Sequence, residues 1–286
     1  EVYRIPILLV IGWRGEPGVH DEPQHVKQGK VTLPLLDTMG IKHVILSQDE
    51  TGFRGQLDEA VRHMDESGEA FAFIVRKNTF EPYTLQRHEV NEYPLSREDA
   101  IQKVAASLRD NDVIVATTGM ISRELFEYRA ARGQGHERDF LTVGSMGHAS
   151  QIALGIALEK TGGRVWCFDG DGAALMYLGS MAIIAGKAPA NLIHVVFNNG
   201  AHDSVGGQPT VGLKVSLTGI AKAAGYKEAV CVTTSEELDS ALAALKDMRG
   251  PVLLEVRVHR GNRKDLGRPT TTPVQNRDAF MEFLDK

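Results

Sequence analysis

Residues 168–176 read FDGDGAALM. An apolar run ends in an aspartate with a glycine on either side, and a helix-forming stretch follows at once. The run before it, RVWCFD, has the character of a buried strand, so Asp171 is delivered to the carboxyl edge of a sheet. Ligands of open α/β sheets bind at such edges. Glycines ahead of a helix leave N–H groups free to approach an anion, and the helix N-terminus favours a phosphate. Alone, GDG is equally a strand-to-helix turn. After 25 further residues comes a second polar pair, Asn198-Asn199. The intervening residues read as one helix, Ala173–Ala185, and one strand, LIHVVF. Adjacent parallel strands would place Asp171 and the asparagines side by side. A carboxylate, an amide oxygen and a backbone carbonyl make an all-oxygen set suited to Mg²⁺, which takes its remaining ligands from water and phosphates.

The same alternation runs along the chain. Strands are predicted at Ile5–Ile11, Lys42–Leu46, Phe71–Val75, Asp112–Ala116, Arg164–Phe168, Leu192–Phe197, Glu228–Val232 and Val252–Val258. Helices are predicted at Gln56–Glu66, Arg97–Leu108, Ser122–Ala131, Ala149–Glu159, Leu217–Ala224 and Ser235–Lys246 besides Ala173–Ala185. This is an α/β pattern, with helices flanking largely parallel sheets. The polar stretch Asn78–Pro94, NTFEPYTLQRHEVNEYP, breaks the rhythm and reads as an interdomain linker. A complete α/β unit follows it and about half of one precedes it. The chain opens EVYRIPILLVIGW, a strand pattern with no Met, so an N-terminal portion is expected to be missing.

Bulk properties exclude several classes. The chain has 286 residues, 42% hydrophobic and 24% charged, with a formal net charge of −5. Without a basic tract, a general nucleic-acid binder is not expected. No apolar stretch approaches the ~20 residues of a membrane span. No signal peptide precedes the first strand, and a cytoplasmic protein is expected. Cys167 and Cys231 sit in apolar runs and are expected to be buried free thiols of a reducing compartment. GDG does not match G-x-G-x-x-G, which counts against a dinucleotide-binding domain.

Two more glycine-containing stretches lie at predicted strand ends, ATTG at 116–119 and TVGSMG at 142–147. Together with GDG and NN they resemble the thiamine-diphosphate (thiamine pyrophosphate) enzymes, whose cofactor motif is GDG, 25–30 residues, then NN. By that resemblance Asp171 and Asn199 bind Mg²⁺ through their side chains and Ala201 through its carbonyl. Gly170 and Ser145 are counted with the cofactor-binding residues, and the N–H groups of Gly172 and Ala173 meet the diphosphate. Thr118 and Gly119 help to hold it. The Gly144 carbonyl accepts a hydrogen bond from the cofactor's 4′-amino group. Met146, beside Ser145, props the cofactor in its bent form. Gly144 and Met146 therefore count as catalytic residues.

Three further pieces resemble the phosphonopyruvate decarboxylase family: GWRGEPGVHDEPQHVKQG at 12–29, NNGAHDSVGGQPT at 198–210 and DLGRPTTTP at 265–273. The resemblance runs the length of the chain. It implies the C-terminal part of a pyrimidine-binding domain over 1–77, a linker over 78–95 and a pyrophosphate and Mg²⁺ domain over 96–286. It further implies conversion of 3-phosphonopyruvate, a small 2-oxo acid, to phosphonoacetaldehyde and CO₂, in a homo-oligomer with sites between subunits. A phosphonate dianion asks for Arg, Lys, His and N–H donors. Arg14, His20, His25 and Lys27 crowd one loop, and His202 and Ser204 follow the asparagines. Arg14, His25, His202 and Ser204 are the expected substrate contacts, His202 also a catalytic one. His194, inside LIHVVF, reads as a core or lining histidine. The basic run HRGNRKDLGRP could close over the site. Related enzymes use a glutamate in the pyrimidine domain; Glu16 and Glu22 do not match its position. The chain as written is therefore expected to decarboxylate poorly. Sulfopyruvate decarboxylase, another 2-oxo-acid decarboxylase and a non-catalytic cofactor-binding subunit are the alternatives.

Overall fold

A computed structural model describes residues 2–83, 91–160 and 162–285. These fall into two units, Glu1–Arg87 and His88–Lys286. Residues 84–90 of the predicted linker lie outside the described residues, and its described flanks form neither helix nor strand.

The first unit runs β1 (Leu8–Gly12), α1 (His25–Thr38), β2 (Lys42–Ile45), α2 (Glu50–Ser67) and β3 (Phe71–Val75). The strands pair in parallel in the order β1-β3-β2. FAFIV is apolar throughout because β3 is central and covered on both faces. Phe71 and Phe73 pack with Leu46 and Ala60 on one side, and Ala72 and Ile74 with Leu36 on the other. Helix α2 begins before the predicted Gln56 because the Asp49 side chain caps it, accepting from Gly52 N at 2.7 Å. Helix α1 is not predicted at all; Pro34 stands inside it and Gly29 is buried on it. Its N–H-free proline and its glycine both mask a helix in sequence.

The second unit continues with α3 (Arg97–Ala106), β4 (Val113–Thr117), α4 (Met120–Ala131), β5 (Asp139–Val143), α5 (Ala149–Glu159), β6 (Val165–Gly170), α6 (Asp171–Met176), α7 (Ser180–Lys187) and β7 (Leu192–Asn198). A short antiparallel pair follows, β8 (Ala201–His202) with β9 (Gln208–Pro209). Then come α8 (Leu217–Ala224), β10 (Glu228–Val232), α9 (Ser235–Leu245), β11 (Val252–Arg257) and α10 (Pro273–Leu284). Among the described residues the main sheet has six parallel strands in the order β10-β11-β7-β6-β4-β5. Alternate side chains enter two apolar layers. Ile114, Trp166, Phe168, Val195 and Leu254 meet Ile101, Val104, Leu125 and Leu238 from α3, α4 and α9. Val115, Cys167, Val196 and Leu253 meet Ala153, Ile184, Ala221 and Phe280 from α5, α7, α8 and α10. No helix among the described residues is long and apolar enough to cross a membrane.

Two predictions need correction, and one strand escapes prediction. The helix expected over Ala173–Ala185 is two helices, broken where Tyr177 leaves helical geometry and Gly179 caps α7. Cys231 is exposed, because β10 is an edge strand; only Cys167 is buried. Strand β5 is unpredicted, since its first residue is a carboxylate. Asp139 is fully buried and receives Nε and Nη2 of Arg129 at 2.9 and 3.1 Å. Helix α10, capped by Thr272 and Gln275, holds the same strand through one amide. Asn276 Oδ1 accepts from Leu141 N at 2.9 Å, and its Nδ2 donates to the Asp139 carbonyl at 2.8 Å. Asn276→Leu strands both backbone groups, so a loss of about 1–3 kcal/mol per group is expected in urea denaturation.

Candidate active site

Strands β4, β6 and β7 end at one edge, and the strand order reverses between β4 and β6. Gly170 pairs with Phe197, so Asp171 and Asn198 are the next neighbours along the two strands. Asp171 is the first residue of α6 and is 1% exposed. Burial pushes its carboxyl up; the Thr210 hydroxyl and the Asn199 N–H, donating to it, act the other way. Gly212 closes over the group: a Cβ there would lie 2.5 Å from Asp171 Oδ2.

The two asparagines do different work. Asn198 Nδ2 donates to the Gly212 carbonyl and to Glu255 Oε1, both at 2.9 Å, and Oδ1 accepts from Gly200 N at 3.1 Å. Its side chain is consumed by the scaffold. Asn199 faces the cleft, with Nδ2 donating to Asp203 Oδ2 at 2.6 Å and Oδ1 accepting from Ala201 N at 3.0 Å.

Thr118, Met146, Gly170, Asp171, Gly172, Ala173, Asn199, Ala201, His202 and Ser204 line this one cleft. The His202 ring lies flush on Gly172; a Cβ there would come within 2.3 Å of its Cε1. Ser204 lies against Gly119, 3.1 Å from where a Cβ would stand. Gly147, at φ +87°, lets the loop after β5 reach α6, with Tyr177 and the Ala173 carbonyl too close for any side chain. Gly144 and Ser145 are exposed on that loop and do not line the cleft, whereas Met146 does.

Arg14 and His25 belong to the first unit, where Asp21 ties the two together. Its carboxylate accepts from Arg14 Nε and Nη2 at 2.9 and 2.6 Å and from Gly15 N at 2.7 Å, with His25 Nδ1 at 3.0 Å. The Arg14 hydrogen bond, more than any other contact, holds the Asp21 carboxyl far below the usual range. His25 opens α1 rather than sitting in a loop.

The basic C-terminal run is tied down rather than loose. Arg263 pairs with Glu98 at 3.0 Å and with Glu127, and Gly267 N donates to Glu127 at 2.6 Å. His194 is 1% exposed and sits between Asp169 Oδ2 and Tyr226 OH, each at 3.4 Å. It is a core histidine, one of the two readings of LIHVVF.

Several residues in or beside the cleft are not among those the sequence singles out. Arg97 lines the cleft and is held by Glu124 through two 2.8 Å contacts, both residues buried. Thr117 is buried there with no hydrogen-bond partner for Oγ1 among the described residues. Thr210 and Gly212 stand in or just past the quoted NNGAHDSVGGQPT, and a hydroxyl within that stretch was the available hint.

Comparison with known proteins gives these residues a setting. Residues 117–256 match the family model "Thiamine pyrophosphate enzyme, C-terminal TPP binding domain". A phosphonopyruvate decarboxylase of Streptomyces hygroscopicus is 34% identical over 98% of this chain and 72% of its own. Sulfopyruvate decarboxylase subunit beta of Methanothermobacter thermautotrophicus is 35% identical over 59% of this chain and 84% of its own. The structure of a benzoylformate decarboxylase from Polynucleobacter necessarius aligns with a TM-score of 0.50 at 18% identity, covering 68% of this chain and 38% of that one, a likeness of fold. The fold and the matched domain define a thiamine-pyrophosphate-dependent carboxy-lyase. The chain belongs to the phosphonopyruvate decarboxylase family.

The residues present fit the cofactor. A buried carboxylate whose strongest partner is a hydroxyl calls for a cation. The unpartnered Thr117 Oγ1 and the N-terminus of α6 open on the same cleft.

Proposed function

We propose that the cleft binds thiamine pyrophosphate through Mg²⁺ and that the reaction it serves is the decarboxylation of 3-phosphonopyruvate to phosphonoacetaldehyde and CO₂. The observation that carries this reading is the buried Asp171 carboxylate beside Asn199 at the start of α6. Asp171, Asn199 and the Ala201 carbonyl would hold Mg²⁺. The N–H groups of Gly172 and Ala173 would take the diphosphate, with Thr118 and Gly119 beside them. Bound there, the cofactor supplies an electron sink for the carbon that loses CO₂. Met146 lines the cleft and would support the cofactor, while the Gly144 carbonyl and Ser145 lie on the loop that carries Met146. His202, flush on Gly172, is placed to hold or move a proton, and Ser204 adds a hydroxyl. In the first unit, Arg14 and His25 are the groups suited to a phosphonate dianion. On this reading the second unit is the pyrophosphate domain and the first serves the pyrimidine side, in a homo-oligomer.

Sulfopyruvate is the second candidate substrate, favoured by the match to a sulfopyruvate decarboxylase subunit. Sulfonate and phosphonate differ in one ionisable oxygen, so the difference falls on the charge of the anion site. Side-by-side assays of CO₂ release from phosphonopyruvate, sulfopyruvate and pyruvate test the choice. A kcat/KM for phosphonopyruvate at least about tenfold above the others is expected, the discrimination one buried charged hydrogen bond supplies. Faster turnover of sulfopyruvate would reverse the assignment.

A further inference from the structure

Asp203 lies four residues past Asn199, at the start of a short turn after β8. One of its oxygens, Oδ2, gathers three donors: Asn199 Nδ2 at 2.6 Å, Gly261 N at 2.9 Å and Arg97 Nη1 at 3.3 Å. Arg97 is itself fixed by its two contacts to Glu124 at 2.8 Å. Glu124 is 1% exposed and Arg97 5% exposed, so this anchor belongs to the interior.

The chain of contacts decides which end of the Asn199 amide is available. A carboxylate only accepts, and an N–H only donates. With Asp203 on one side and the Ala201 N–H on the other, the amide has a single satisfactory orientation. Flipping it would set an oxygen against a carboxylate and an NH₂ against an N–H. The nitrogen is therefore committed to Asp203. The oxygen keeps a lone pair beyond the Ala201 contact.

We infer that Asp203 is a positioning residue of the cation site: through its Oδ2, anchored by Arg97 and Gly261, it holds the Asn199 amide with the oxygen end free for the metal. This rests on the reading of Asp171 and Asn199 as metal ligands. Asp203 itself lines the cleft, and the part assigned to it is played through Asn199. Because all three donors converge on one oxygen, an amide at position 203 keeps them, and the charge is dispensable. A side chain with no acceptor at that place releases Asn199.

The test uses the full chain, with Mn²⁺ as probe in the presence of thiamine pyrophosphate, and reads bound metal by electron paramagnetic resonance. Asp203→Ala is expected to weaken Mn²⁺ binding by about 10- to 100-fold, the range seen when partners of metal ligands are removed. Asp203→Asn is expected to bind within about threefold of the parent, well short of that loss. Apo-protein melting temperatures of both are expected within about 3 °C of the parent, a shift near 1 kcal/mol for a chain of this size. Asp203→Ser, whose hydroxyl is too short to reach the amide, repeats the loss if the alanine variant does not fold. Mn²⁺ binding by the alanine and serine variants at the parent's affinity would overturn the proposal. An equal loss in Asp203→Asn would also overturn it, because charge rather than orientation would then be at work. Asp171→Ala separates the two levels. If it binds Mn²⁺ as the parent does, the metal reading itself fails. If it does not bind while Asp203→Ala does, only the positioning role is lost.

Discussion

Replacing Asp171 with alanine is expected to lower the affinity for thiamine pyrophosphate in the presence of Mg²⁺ at least about 100-fold, beyond the 10- to 100-fold that partners of metal ligands contribute. The carboxylate is 1% exposed, and its side-chain partner among the described residues is the Thr210 hydroxyl. Such a group is costly to keep ionised in the interior. On the proposed reading, Mg²⁺ arriving in the cleft offsets that cost. Asp171→Asn sharpens the test. Its amide oxygen can still accept from Thr210 and the Asn199 N–H, while the charge is gone. The asparagine variant is therefore expected to melt no lower than the parent as apo-protein, yet to lose cofactor binding like the alanine variant. Calorimetric titration with thiamine pyrophosphate and Mg²⁺, followed by CO₂ release, measures both. Affinity in either variant within about threefold of the parent would remove Asp171 from the site.

The largest effect on stability is expected at Arg129. Its guanidinium is 2% exposed and is bonded twice to Asp139, which is not exposed at all. Arg129→Met leaves that carboxylate buried and alone, at a cost of about 3–5 kcal/mol. The double variant Arg129→Met/Asp139→Leu removes both charges and is expected to recover most of the loss. The pH dependence has a definite sign. Burial pushes the Asp139 carboxyl up, and Arg129 is its main opponent. Without Arg129 the folded-state value stands well above that of the unfolded chain. Below about pH 4, near the ordinary aspartate value, both states are protonated and the penalty is absent. It grows as the pH rises from there toward the raised folded-state value. Urea denaturation at both ends of that range reads the difference. A deficit equal at acid and neutral pH would show that lost packing, not the stranded charge, is responsible.

The same pair explains where the sequence was opaque. Apolar runs such as VIVAT, VWCF and LIHVVF announce strands covered on both faces, and all three were readable. DFLTV was not, because its strand begins with a charge whose partner lies ten residues upstream on another element. Helix α1 was hidden by Pro34 and Gly29, local signals that its tertiary packing overrides. Helix α10 could have been found: Thr272 and Gln275 form a capping box with Pro273 between them, a pattern with a physical cause. At the candidate site the backbone-presenting stretches were readable because glycine at a strand end has a purpose. Arg97, Glu124 and Asp203 were not, since three common charged residues far apart in sequence reveal nothing until the fold joins them. Asn198 and Asn199 are adjacent and chemically identical, and only their partners distinguish scaffold from site.

Strand β11 lies between β10 and β7, although it follows both in the chain. On a ribosome, β7 and β10 would emerge with the place between them still vacant. Until residues 252–257 leave the exit tunnel, each has an apolar flank and an unpaired row of backbone groups. The cleft at the ends of β6 and β7 can therefore form only late in synthesis. Glu255, which holds Asn198, arrives on that last strand and locks the asparagine turn as the sheet closes.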